Sequence, residues 1–159
     1  MRFEISGMSA IQTRLAKLQN GLQNRQELIK LLGHTIVEDV QENIASEGKR
    51  LGVTWRPLTP TTNKLRIMHG YSASHPILIE TGSMWTSIRV TKSDNNEAVI
   101  QPTGIGGVNP PEANILKATR HQYGKKYRKL PPRRFFEISN YGIKEIRRNV
   151  EWYIERLMH

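Results

Sequence analysis

The sequence predicts an α+β fold in a single domain, and three observations predict it. Apolar residues recur at helical spacing near both ends of the chain, two β-rich runs flank an Asp-Asn-Asn turn in its middle, and no repeat, low-complexity tract or linker divides the 159 residues. A chain of this length is expected to form one domain over residues 1–159 and to bury roughly two thirds of its unfolded surface. It has no cysteine, which removes disulfides, thiolate nucleophiles and Cys-containing zinc sites and fits assembly in a reducing compartment. No apolar run approaches the ~20 residues of a membrane span, and the stretch from Met1 to Gly21 is polar and amphipathic, unlike a signal peptide. A soluble protein with no membrane partner is expected.

Each element has its own justification. Arg2 to Ser6 alternate polar and apolar, with Phe3 and Ile5 on one face, and read as a short strand that Gly7 stops. Ile11, Leu15, Leu18 and Leu22 then fall at helical spacing, and Asn20-Gly21 is expected to break or end that helix. In the next helix Asn24 is the expected cap with Glu27 in the capping-box position. Its apolar stripe of Leu28, Leu31, Leu32, Ile36, Val40 and Ile44 runs on to Glu47-Gly48. Pro57 and Pro60 forbid a regular strand or a long helix between Gly48 and Ser74, so a long packed loop is expected, with Thr59-Pro60 opening a short helix.

Order returns after Pro76. Residues Ser87 to Thr91 and Glu97 to Gln101 are the two strands of a hairpin turned at Ser93 to Asn96. Pro102 to Pro111 is a Gly/Pro-rich connection, and Glu112 to His121 reads as a helix broken at Gly124. A last helix, capped by Ser139 or Asn140, presents a seam of Ile143, Ile146, Val150, Tyr153 and Leu157, with Leu28, Leu31 and Ile36 as its expected counterparts.

Charge is concentrated in one place. The chain holds 24 Lys and Arg against 14 Asp and Glu, a formal net charge of +10. Lys117, Arg120, Lys125, Lys126, Arg128, Lys129, Arg133 and Arg134 lie in one run with no acid, which accounts for +8 of it. Such a field attracts polyanions or an acidic protein face. Tyr123, Tyr127, Phe135 and Phe136 are interleaved with these charges, as in surfaces that pair phosphates and stack bases, although the tyrosines could equally pack beneath a solvated loop.

Catalytic constellations are sparse. Nothing resembles the nucleophile motif G-x-S-x-G, and Ser74-His75 are neighbours in sequence only. His34, Glu38 and Asp39 lie one helical turn apart and Glu42 extends the group by another turn, and a helix can present His and Glu at i, i+4 to one divalent ion. Partners on a second helix are missing, because His69, His75, His121 and His159 lack ligand spacing, so a solvated helical face is the better reading. The Gly104 to Gly107 run lacks the Lys-Ser/Thr of a phosphate loop and reads as a flexible connection. No cofactor is implied.

Four short motifs, in order, resemble the phage virion morphogenesis (tail completion) family of Mu-like and other contractile-tailed phages. Gly52-Val53-Thr54-Trp55-Arg56-Pro57-Leu58-Thr59-Pro60 is similar to that family's G-x-x-W-x-P-L-s/t-P segment. Leu78 to Ile88, with Thr81, Gly82, Ser87 and Ile88, resembles L-x-x-T-G-x-L-x-x-S-I with Met84 in the leucine place. His121-Gln122-Tyr123-Gly124 matches H-Q-x-G, and Leu130 to Ser139, with Phe135, resembles x-P-A-R-P-F-L-G-x-S. Pro132, Arg134 and Glu137 depart from that last pattern, and the stretch from Pro102 to Ala118 is longer than a tight turn. Read physically, Trp55 is expected to pack under a loop stiffened by Pro57 and Pro60, and Thr81-Gly82 to turn into a short helix that buries Met84, Trp85 and Ile88.

The resemblance implies a non-enzymatic structural protein of the virion, in the tail or neck and assembled in the host cytoplasm. It implies a homo-oligomeric ring, a hexamer, that meets the tail tube or tail terminator and the neck or connector proteins, with genomic DNA passing through its lumen. The basic run then faces DNA or an acidic partner. Two rivals remain: a free nucleic-acid-binding protein that grips phosphates with the 117–134 segment, and a nuclease using Glu38, Asp39 and Glu42 with a divalent ion.

Overall fold

The computed structural model describes residues 8–72, 75–104, 110–126 and 129–158, and at its centre lies the helix with the longest apolar stripe. This helix, α2 (Gln26–Ala45), packs against both a two-stranded sheet and the last helix, α6 (Asn140–Met158). Val37, Val40 and Ile44, at steps of three and four, enter a core completed by Trp55, Leu78, Met84, Ile88, Ala118 and Phe135. Ile44, Ile88 and Phe135 are fully buried, and each such side chain contributes roughly 1.5–3 kcal/mol through its removal from water. The expected α+β class is the observed one, with long helices towards both ends and a small antiparallel sheet between them.

Helix α1 (Met8–Gln23) does not break at Asn20-Gly21. The Tyr153 hydroxyl lies 3.3 Å from the Gly21 carbonyl and 3.4 Å from that of Asn24, so α6 supplies a donor to the end of α1 where glycine alone would let it fray. The capping box is also absent. Asn24 donates its N–H back to the Asn20 carbonyl and so finishes α1, leaving Arg25 as the N-cap of α2, whose side chain caps no helix N–H. Glu27, freed from that task, forms a two-pronged pair with Arg156 at 2.8 and 2.6 Å. The strand expected at Arg2 to Ser6 lies outside the described residues.

The loop after α2 holds a 3₁₀ turn (Lys49–Leu51) and helix α3 (Pro60–Met68). The latter starts as its sequence dictates: the Thr59 hydroxyl accepts the Thr62 N–H at 3.2 Å and Pro60 occupies the first turn. Helix α4 (Ser83–Ser87) follows Gly82 and runs straight into β1 (Ile88–Ser93), which pairs with β2 (Ala98–Pro102) from Ile88↔Pro102 to Ser93↔Ala98. A bulge between Val90 and Lys92 interrupts the ladder. The turn is tied by Asp94, whose carboxylate accepts the N–H groups of Asn96 and Glu97 at 2.8 and 3.0 Å, an Asx turn of the kind these residues favour. Helix α5 (Pro111–Tyr123) begins on proline and stops at Gly124.

The expected seam of α6 is taken in except at its first residue. Tyr153 is buried, Ile146, Val150 and Leu157 are half-buried, and Ile143 remains 48% exposed. At Gly142 α6 lies close against α2, where an added Cβ would stand 2.5 Å from Asp39 Oδ2. Further along, Asn149 donates to the Thr35 hydroxyl at 2.8 Å. Gly142 and Asn149 thus join the seam where α2 presents a carboxylate and a hydroxyl, which call for a small and a polar partner.

Candidate functional site

The 130–137 segment is pinned to the rest of the molecule residue by residue. Its backbone accepts a hydrogen bond from Trp55 Nε1 at the Arg134 carbonyl, 3.2 Å. The Asn43 amide donates to the carbonyls of Phe135 and Glu137 at 3.2 and 2.7 Å. Gln122 Oε1 accepts the N–H groups of both Phe135 and Phe136 at 3.0 Å, and the His121 carbonyl accepts that of Arg133 at 2.6 Å. Gly124 turns the chain with φ +71°, and a Cβ there would meet the Leu130 carbonyl oxygen at 2.8 Å, so only glycine fits. Lys125 and Leu130 then pair as an isolated antiparallel bridge.

These ties bring four distant stretches around one cleft of about 870 Å³. Arg56 to Thr59 form one lip, Arg66 of α3 and Ile77 to Leu78 line it, His121 comes from α5, and Lys129 to Arg133 close it. All four sequence motifs contribute a residue. Trp55 is 6% exposed and Phe135 fully buried, while Pro57 and Leu58 line the cleft and Pro60 opens α3. In the second motif, Thr81 Oγ1 accepts the Ser83 N–H at 3.3 Å. The buried Ser87 hydroxyl donates to Met84 O at 2.7 Å, and Ile88 is fully buried. Trp85 and Gln41 exchange hydrogen bonds of 3.0 and 3.2 Å between side chain and backbone carbonyl.

The seven basic residues of the run that are described differ in exposure. Lys117, Lys126, Lys129 and Arg134 are exposed, Arg120 and Lys125 half-buried, and Arg128 lies outside the described residues. Arg133 is the exception to the expected charged face: it is 3% exposed and donates from Nη2 to the Arg56 carbonyl at 3.3 Å. Burial holds its guanidinium below its ordinary pKa, with Glu47 opposing. Arg134 pairs with Glu137 at 2.5 Å. Phe135 cannot stack on a base from its buried position, whereas Tyr123 is 77% exposed; Tyr127 is outside the described residues. His121 is pushed down to about 4 by burial first and then by Arg133 and Lys117, so it is neutral at pH 7.

Asp39 leaves the solvated face on which the sequence places it. It is 3% exposed, accepts the Ser139 N–H and hydroxyl at 2.7 and 2.6 Å and pairs with Arg50 at 3.0 Å. Ser139 Oγ in turn accepts the Gly142 N–H at 3.1 Å and caps α6. Glu38 and Glu42 stay exposed, and no group of three or more metal-ligating side chains is brought together among the described residues. His75 donates from Nε2 to the Ile79 carbonyl at 2.8 Å, and Ser74 lies outside the described residues, as do residues 105–109 of the glycine-rich connection.

The profile of the phage virion morphogenesis family matches residues 7–155. The chain belongs to that family. No match was found among curated proteins or among solved structures. Membership gives this virion morphogenesis protein a part in building a phage particle, and no helix among the described residues is long and apolar enough to cross a membrane. Sequence reasoning finds the motif residues of this family member but misses Asn43, Arg66 and the task of Asp39. For Asn43 and Asp39 a signal exists: two polar residues at i, i+4 interleaved with the apolar stripe of α2 mark polar groups that need buried partners. Arg66 carries no such signal, because its burial depends on the Pro76 carbonyl ten residues away.

Proposed function

We propose that this chain is a non-enzymatic structural subunit of the phage tail or neck, which completes the tail and joins it to the head as part of a homo-oligomeric, hexameric ring. The family match over residues 7–155 carries the reading. Supporting the ring, Ile11, Leu15 and Leu22 of α1 are 54%, 59% and 44% exposed and occupy helical spacing, an uncovered stripe of the sort that subunit contacts bury. The neighbours in this reading are the tail tube or tail terminator and the neck proteins, with DNA passing through the lumen past exposed Lys117 and Lys126.

Removal of the gene tests it. DNA-filled heads and unattached or abnormally ended tails should accumulate while replication and late expression continue, and purified protein added to that lysate should restore infectious particles. Heads and tails that remain unjoined with the protein, yet join with wild-type extract, would end the joining role. A free nucleic-acid-binding protein would instead fail upstream of both halves and would bind DNA with a steep salt dependence.

A further inference from the structure

We propose that the cleft between α3 and residues 130–133 is a carboxylate-binding site that receives an acidic peptide segment of a neighbouring protein in the particle. Its floor contains two buried guanidinium groups. Arg66 is 5% and Arg133 3% exposed, both line the cleft, and the Nε of each is buried without a hydrogen-bond partner among the described residues. Among the described residues each donates from Nη2 to one backbone carbonyl, Arg66 to Pro76 at 2.8 Å and Arg133 to Arg56 at 3.3 Å. Neither has a carboxylate within ion-pair distance among the described residues. Glu47 acts on Arg133 by charge from beyond contact distance, and one of its carboxylate oxygens accepts the Ile77 N–H at 2.9 Å.

A buried cation with no carboxylate in contact is unfavourable, and the planar guanidinium fork matches a carboxylate. The rim repeats the preference, with exposed Arg56 and Lys129 against one acid, Glu80. Pro57, Pro131 and Pro132 stiffen the walls. A concave site of about 870 Å³ has the size of small-ligand sites: it admits a short peptide and keeps the phosphates of a duplex at its rim.

The donor of the acid is a different protein. This chain carries +10, so a second copy approaches the basic rim of the cleft against net repulsion, whereas an acidic partner is attracted. The source of the segment, though not the chemistry of the cleft, rests on the virion-assembly reading.

The test uses the full chain and a fluorescein-labelled octapeptide of alternating Glu and Ala. The same peptide with Gln for Glu and a labelled thymidine decamer serve as comparisons. The Glu peptide should bind, shift the Arg66 and Arg133 Nε–H resonances, and lose at least about tenfold in affinity on Glu-to-Gln replacement or in the double variant Arg56→Glu, Lys129→Glu. That variant alters exposed side chains only, so its melting temperature and its oligomeric state by sedimentation should match wild type, which separates this test from an Arg133→Met variant that fails to fold. Equal binding of the Glu and Gln peptides would overturn the proposal. So would displacement of the peptide by the thymidine decamer, or rings of the wild type that come apart in the double variant, since these would give the cleft to nucleic acid or to a second copy. Lysate complementation reads the joining role separately, so either idea can fail while the other stands.

Discussion

A carboxylate withdrawn from water must recover its hydrogen bonds from the protein, and Asp39 recovers them from Ser139 and Arg50. Removing it leaves the Ser139 N–H and the Arg50 charge without that partner, so Asp39→Ala should destabilise the fold by about 3–5 kcal/mol in denaturant titration. Exposed Glu38, one residue earlier, should cost no more than about 0.5 kcal/mol as alanine; equal effects would disprove the difference in role. His121 gives a pH signature. Its ordinary pKa of 6.5 falls to about 4 in the fold, so below 6.5 the unfolded chain binds a proton that the folded chain refuses until about 4. Stability should therefore decline as pH drops through that window, by up to about 3 kcal/mol in total. His121→Gln should flatten that part of the stability–pH curve.

At the scale of elements, α1 is held chiefly through α6. Tyr153→Phe should weaken the fold by about 1 kcal/mol and speed hydrogen exchange at the end of α1 more than in α2, whereas Ile143→Ala, at a position 48% exposed, should be close to neutral. The same pair of helices shows where sequence reading reaches its limit. Periodicity, the Thr59-Pro60 start and the Asp94 turn are local, encoded within a few residues of where they act, and each was legible. The failure at Asn20-Gly21 and Asn24 is of another kind: the groups that override local preference, Tyr153 and Arg156, come from α6, some 130 residues away by number. The motif residues of the cleft were legible as a set through family resemblance. Their geometry was not, because Arg133 reads as one more charge in a basic run until Arg56 and His121 are seen beside it.

For the whole molecule, the exposed positive charge and the stability are carried by different residues. Lys117 and Lys126 are exposed, so changing both to Ala should leave the unfolding free energy within about 0.5 kcal/mol while lowering the yield of infectious particles in lysate complementation. Full yield would make them a solvated face and nothing more. The ties that complete the interior, by contrast, cross the length of the chain: Asn43 to Phe135 and Glu137, Asp39 to Ser139. They make the protein dependent on the order in which it is synthesised. Helix α2 leaves the ribosome early with Asp39, Asn43 and Ile44 prepared for partners that emerge almost a hundred residues later, and contacts of such separation close slowly. A chain that ends before Phe135 lacks the side chain that fills the interior beside Ile44 and Ile88, and in a limited-digestion time course it should be cleaved far faster than the full chain.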